Sequence, residues 1–133
     1  MSGLEQLASY TIPGDPLPTG RPRCVPNMRS PITPPRTRAE LNRLREYFGW
    51  FGPKDPWTGD LAIILRFYRS DRRALDYDNL AKMIGDAGNG LLWKDDAQIV
   101  RADITKIIGV GAAAACIKLR ILRPTAEARG QLL

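Results

Sequence analysis

Eight of the chain's eleven prolines fall between Pro13 and Pro35. A segment so rich in proline supplies neither a helix interior nor a central strand. The tract, about 13–36, is therefore predicted to be an extended arm or loop, entered from a short strand at Ala8–Ile12. From Arg21 to Arg45 the chain holds seven arginines (21, 23, 29, 36, 38, 43 and 45) against one acid, Glu40, a surplus equal to the net charge of +6 carried by all 133 residues. Arginine forks spaced along a stiff segment match phosphate oxygens bidentately, although the same composition also suits a solvated loop.

The remaining sequence reads as one compact α+β (α/β) domain, residues 1–133, with a mixed sheet and about two main helices. Thr37 and Glu40 have the spacing of a capping box, and Leu41, Leu44, Phe48 and Phe51 follow at helical period, which predicts a helix over roughly 38–50. Leu61–Tyr68 is rich in β-branched and aromatic residues and predicts a mostly buried strand. Residues 69–73 follow as a basic loop. Ile99–Ile107 and Ala113–Leu122 predict two further strands linked through Gly109-Val-Gly111. In the second, Ile117, Leu119 and Ile121 alternate with Lys118 and Arg120, the pattern of an antiparallel strand with one wet face. The tail, 124–133, shows no apolar period and is expected to fray.

The chain contains no histidine, and its two cysteines, Cys24 and Cys116, are far apart. These facts exclude Ser-His-Asp and Cys-His catalysis, histidine-ligated zinc and a histidine base. No stretch approaches the apolar length of a membrane span and the N-terminus lacks the features of a leader, so a cytoplasmic protein is expected.

Against this basic background, residues 76–103 hold six of the fourteen carboxylates. Crowded carboxylates repel, and a cation among them relieves the cost. In a basic protein, that combination predicts a hard-metal site acting on a polyanion, with nucleic acid the obvious one. Asp76 and Asp78 are two apart and share a face if extended. Leu80, Met83, Ile84 and Ala87 then form the apolar stripe of a helix whose other side repeats Asp78, Lys82 and Asp86, with Asp78 at or near the N-cap. Gly88-Asn-Gly90 stops that helix. The chain is expected to return so that Asp95 and Asp96 lie near the first pair, an arrangement suited to metal-assisted phosphodiester hydrolysis. Each piece also has a plainer reading: Asp78 as a cap, Lys82 as an i, i+4 partner, Asp95-Asp96 as turn residues.

Taken together, Asp76-x-Asp78-Asn79-Leu80-x-Lys82, Asp86-Ala87-x-Asn89-Gly90 and Trp93-x-Asp95-Asp96-x-Gln98-Ile99 closely resemble the RusA family of Holliday junction resolvases, common in bacteriophages and prophages. Gly20-Arg-Pro-Arg23 and the Thr33–Arg38 segment are similar to its N-terminal half. The resemblance spans most of residues 10–122 and implies a compact mixed fold, a homodimer, and magnesium-dependent paired nicks across a four-way DNA junction during recombination and repair. It places the metal-binding aspartates on Asp76, Asp78 and Asp96, the essential lysine on Lys82, and an acid of less certain role on Asp95. Mg²⁺ is the implied ion, with Mn²⁺ an alternative.

Arg21, Arg23, Arg36, Arg38, Arg69, Arg72 and Arg73 are the candidate DNA contacts. Tyr68, Tyr77 and Trp93 are candidates for stacking on bases, with packing the stronger expectation for Trp93. The family usually has leucine where Gly88 stands, so a loosened helix end is expected here. Two rivals remain: a basic nucleic-acid-binding module that does not cut, and a metal nuclease for flaps or other branched DNA.

Overall fold

The computed structural model describes residues 4–18 and 35–125. Four strands, β1 (Leu4–Pro13), β2 (Leu61–Tyr68), β3 (Ile99–Ile107) and β4 (Cys116–Pro124), and two helices, α1 (Pro35–Phe51) and α2 (Tyr77–Gly88), make an α+β domain. The sheet order is β1-β4-β2-β3. β4 runs antiparallel to both β1 and β2, and β3 lies parallel to β2. A parallel pair needs a crossover, and α2 is that crossover. The predicted strands at 61–68 and 99–107 form within those limits. β4, however, does not fold back on β3: it inserts on the far side of β2, and residues 112–114 make a 3₁₀ turn before it.

The core follows from alternation. Tyr10, Ile12, Ile63, Leu65, Phe67, Ile117, Leu119 and Ile121 point from the sheet into one buried cluster with Leu44 and Phe48 of α1 and Leu80, Met83, Ile84 and Ala87 of α2. Both helices thus cover the same face, and each large apolar side chain so buried contributes about 1.5–3 kcal/mol. The other face carries a smaller cluster of Ala62, Ile64 and Leu122.

α1 begins at Pro35, where proline's fixed φ suits a first turn, and the predicted Thr37/Glu40 capping box does not start it. Glu40 instead is 3% exposed. It accepts the Leu17 N–H at 3.1 Å and is paired with the Arg43 guanidinium at 2.6 Å. Arg43 also donates to the Pro13 carbonyl, so helix and arm root are fastened together. The rest of the arm (19–34, with Arg21, Arg23, Arg29 and Cys24) and the tail from 126 lie outside the described residues.

The expected loosening at Gly88 is corrected by Trp93. Its ring is fully buried against that glycine, and its indole N–H donates to the Gly85 carbonyl at 3.2 Å and to Asn89 Oδ1 at 3.1 Å. Packing, not base stacking, is therefore what Trp93 does. Arg45 completes the helix end by donating to the carbonyls of Ala87 and Asn89, where a cation also suits the helix dipole.

Candidate active site

Asp76, not Asp78, is the N-cap of α2: its Oδ1 accepts the Asp78 N–H at 2.9 Å. That bond satisfies one of the helix's orphan donors and holds the two exposed carboxylates together at the positive end of the helix dipole. The loop that delivers them is tied down by a clasp. Arg69, expected among the DNA contacts, is 8% exposed. Its guanidinium donates to both carboxylate oxygens of Asp71 and to the Pro16 carbonyl, and it lies 3.7 Å from Asp15. Asp15 in turn accepts the backbone N–H and hydroxyl of Ser70. These bonds hold the Asp15 carboxyl below the usual range, the Ser70 bonds acting first and the Arg69 charge adding to them. Arg69 also lowers Asp71 by hydrogen bonding. It is thus engaged inside the protein, whereas Arg36, Arg38, Arg72 and Arg73 are exposed.

Asp95 and Asp96 sit at the opposite end of α2. Asp95 caps the 3₁₀ turn Asp96–Gln98, accepting the Ala97 N–H, while Gln98 Oε1 accepts the backbone N–H groups of Lys94 and Asp95. The Gln98 amide donates to the carbonyls of Trp57 and Gly59, which anchors this turn to the segment before β2. Gln98, part of the family motif but given no role by the sequence, is thus a positioning residue; its signal is the Asp95-x-x-Gln98 spacing of a capping box.

Asp96 then faces the middle of α2. A Cβ on Gly85 would lie 3.2 Å from Asp96 Oδ2, so any side chain at 85 would crowd the carboxylate by a few tenths of an ångström. A hydrogen bond shared with Asp95, followed by partial burial and the charges of Asp95 and Asp86, pushes the Asp96 carboxyl above its ordinary range. Asp95 moves down, through the Ala97 N–H first and the shared bond second.

The expectation that the two pairs meet is therefore met only in part. Positions 78, 82 and 85 succeed one another at i, i+4 and i+7 along one side of α2, which leaves Asp78 and the Gly85–Asp96 contact about 10 Å apart along the axis. Lys82 stands between them, exposed, and makes no hydrogen bond or ion pair with any described residue despite aspartates four positions away on both sides. Among the described residues no three acids are gathered tightly enough to cage an ion. All the candidate ligands are carboxylate oxygens, which suits Mg²⁺ or Mn²⁺, ions that take one or two carboxylates and keep several waters.

A profile of the family described as Endodeoxyribonuclease RusA matches residues 13–120, a span that includes both acid pairs, Lys82 and the sheet beneath them. The chain belongs to the RusA family. It is accordingly an endodeoxyribonuclease of the Holliday junction resolvases, enzymes that act on branched DNA and that in general depend on a divalent metal. No individual curated protein matches it. Among the described residues, no helix of this RusA protein is long and apolar enough to cross a membrane.

Proposed function

We propose that this RusA-family protein resolves four-way junctions by paired, symmetric, Mg²⁺-dependent nicks, with Mn²⁺ able to replace Mg²⁺, and does so as a homodimer in the cytoplasm of a bacterial or phage-infected cell. The observation that carries this reading is Lys82, an unpaired cation on the flank of α2 between Asp76–Asp78 and Asp96. Pairing with the aspartates at i−4 and i+4 would be worth only a few tenths of a kcal/mol, too little to hold this ammonium back from a stronger anion. An ammonium kept free between two acidic groups is available to a phosphate that spans both.

Asp76 and Asp78 at one end of α2 and Asp96 at the other would each offer one or two carboxylates to a metal ion that keeps water in the rest of its shell, and Asp95 fixes the orientation of Asp96 through the 3₁₀ cap. When bound, the ion would activate water and neutralise charge on the scissile phosphate. The Asp76 cap keeps the first carboxylate pair oriented toward the DNA. The Gly85 gap does the same for Asp96. Lys82 meets the negative charge that develops on the phosphate or leaving oxygen as the bond breaks. Charge stabilisation is its part. Exposed Arg36, Arg38, Arg72 and Arg73, with Arg21 and Arg23, would hold the junction arms. Two matching nicks are most simply made by two copies of one site, which is the reason for the dimer.

Purified protein incubated with synthetic four-way, flap and linear DNA, in Mg²⁺ and in EDTA, tests the reading. Paired nicks on the four-way substrate in Mg²⁺ alone are expected. Binding with no cutting in any metal would overturn it, and equal cutting of flaps would remove the junction preference.

A further inference from the structure

The face of the sheet turned away from α1 and α2 carries a charge arrangement that folding alone disfavours. Arg66 on β2 stands directly opposite Lys118 on β4, and Arg120 follows two residues later on the same face, opposite Ile64. Like charges directly opposite each other on neighbouring strands destabilise a sheet. All three side chains are exposed, and none is in a salt bridge among the described residues. Lys118 lies 5.3 Å from the centre of the Tyr68 ring, and Arg120 donates through Nε to Gln6 Oε1 at 2.9 Å, contacts that hold the two cations in place without neutralising them. Asp103, which the β2–β3 register puts on this face opposite Ile64, is diagonal to Arg66 and forms no ion pair with it.

These cations border a shallow cleft of about 90 Å³ lined by Ser9, Thr11, Ile64, Arg66, Lys118 and Arg120. Two hydroxyls from β1 thus face three cations across the cleft, with no acid in the lining. Hydroxyl donors beside guanidinium and ammonium groups are the usual protein half of a phosphate contact. The strip runs across β1, β4 and β2, whose hydrogen-bonded register fixes the spacing of its groups, so little ordering is needed on binding.

We infer that this open sheet face is a second nucleic-acid surface, in which Arg66, Lys118 and Arg120 track the phosphate backbone of a DNA strand or arm away from the strand being cut. The inference rests on the DNA substrate proposed above but not on its metal site. The acids and Lys82 belong to α2 and its flanking turns on the covered side of the sheet, so one protomer would touch DNA on two faces. A branched substrate offers such a protein more than one arm to hold.

The test measures binding of the full chain to a four-way junction and to plain duplex in EDTA over a salt series, so that it reads affinity whether or not the protein cuts. A double variant, Lys118→Ala with Arg120→Ala, is expected to bind at least ten-fold more weakly and to lose about two units of salt slope, one per lost phosphate contact. Arg66→Glu supplies the decisive contrast. It replaces a cross-strand repulsion by an Arg-to-acid change opposite Lys118, so its melting temperature should hold or rise while its DNA affinity falls at least ten-fold. Lys54→Glu, an equal charge change at an exposed position off the strip, is the reference.

If Arg66→Glu and the double variant keep the affinity and slope of Lys54→Glu, the strip is only a solvated face and the inference fails. It also fails if a poly-glutamate peptide binds the native strip as tightly as duplex does. If the native protein binds junctions in EDTA but cuts none in Mg²⁺, the proposed site on α2 fails and the strip stands.

Discussion

A Cβ atom on Gly88 would lie 2.5 Å from Cζ2 of Trp93, so the buried indole already fills the volume of any side chain at position 88. Gly88→Leu must therefore displace the ring, and overpacking of this kind costs about 1–3 kcal/mol. Trp93→Ala should cost more, about 3–5 kcal/mol. Thermal melts of both variants check this; a Gly88→Leu protein as stable as the native one would mean that Trp93 has room to move.

Asp78→Asn removes charge with little change of shape. Cutting in Mg²⁺ should be lost, while junction affinity holds or tightens because less negative charge faces the phosphates. Native-rate cutting by this variant would take Asp78 out of the site.

Lys82 has no ion pair to lose among the described residues, so Lys82→Ala should change stability by less than about 0.5 kcal/mol. Its cleavage rate should fall about 100-fold or more, the scale of losing one oxyanion donor, with junction affinity within a few-fold. Lys82→Arg should restore only part of the rate, since a guanidinium fork differs from a point charge. Single-turnover cleavage beside a melt separates chemistry from folding.

Asp96 yields a prediction that runs against the usual sense of a deleterious mutation. Its carboxyl is held above the ordinary range by the bond to Asp95, by burial and by the charges of Asp95 and Asp86. The native state therefore keeps a proton that the unfolded chain has released, and stability falls as pH rises from the ordinary carboxylate range through the raised native value. Asp96→Asn should consequently melt at or above the native temperature at neutral pH while losing its cutting activity. Saturating Mg²⁺ should raise the melting temperature of the native protein and not that of Asp96→Asn. A variant that still gains stability from Mg²⁺ would clear Asp96 of ligand duty.

The clasp around Arg69 predicts the opposite pH sense. Asp15 and Asp71 are held below their usual range, so their contribution is fully present above about pH 4, the unfolded value, and is lost as pH falls through the lower native values. Arg69→Ala should weaken this acid-side dependence, leaving the part that the Ser70 bonds hold at Asp15, and lower stability. Arg72→Ala should leave stability alone and weaken DNA binding. A melting-temperature profile between pH 2 and 7 tells them apart; equal stability loss in both would deny Arg69 its special place.

How much of this was legible in the sequence varied with the range of the interaction concerned. β2 and α2 could be read because an unbroken apolar run and a stripe at Leu80, Met83, Ile84 and Ala87 are local signals. The capping box at Thr37 and Glu40 had a local pattern too, yet Glu40 is buried against Leu17 and Arg43, and a partner 23 residues away overrode the spacing. Arg69 looked like one more cation in a basic loop, because Pro16, 53 residues away, leaves no mark beside it. The two acid pairs were placed together because the chain turns back after Gly88-Asn-Gly90; the length of α2 separates them, and Asp96 lands against Gly85.

The strand order carries a consequence for how the protein is made. β4, the last of the described strands in chain order, is not an edge: it is hydrogen-bonded between β1 and β2. Until it emerges, β1 has no neighbour and β2 lacks one of its two, so a nascent chain holding Asp76, Asp78, Lys82, Asp95 and Asp96 still lacks the strand that joins them to the N-terminal half. Contacts this distant in sequence form late. A nuclease assembled in this order keeps its cutting segment on an unfinished scaffold until β4 has emerged, and a chain cut short before residue 116 leaves two open strand edges prone to aggregate.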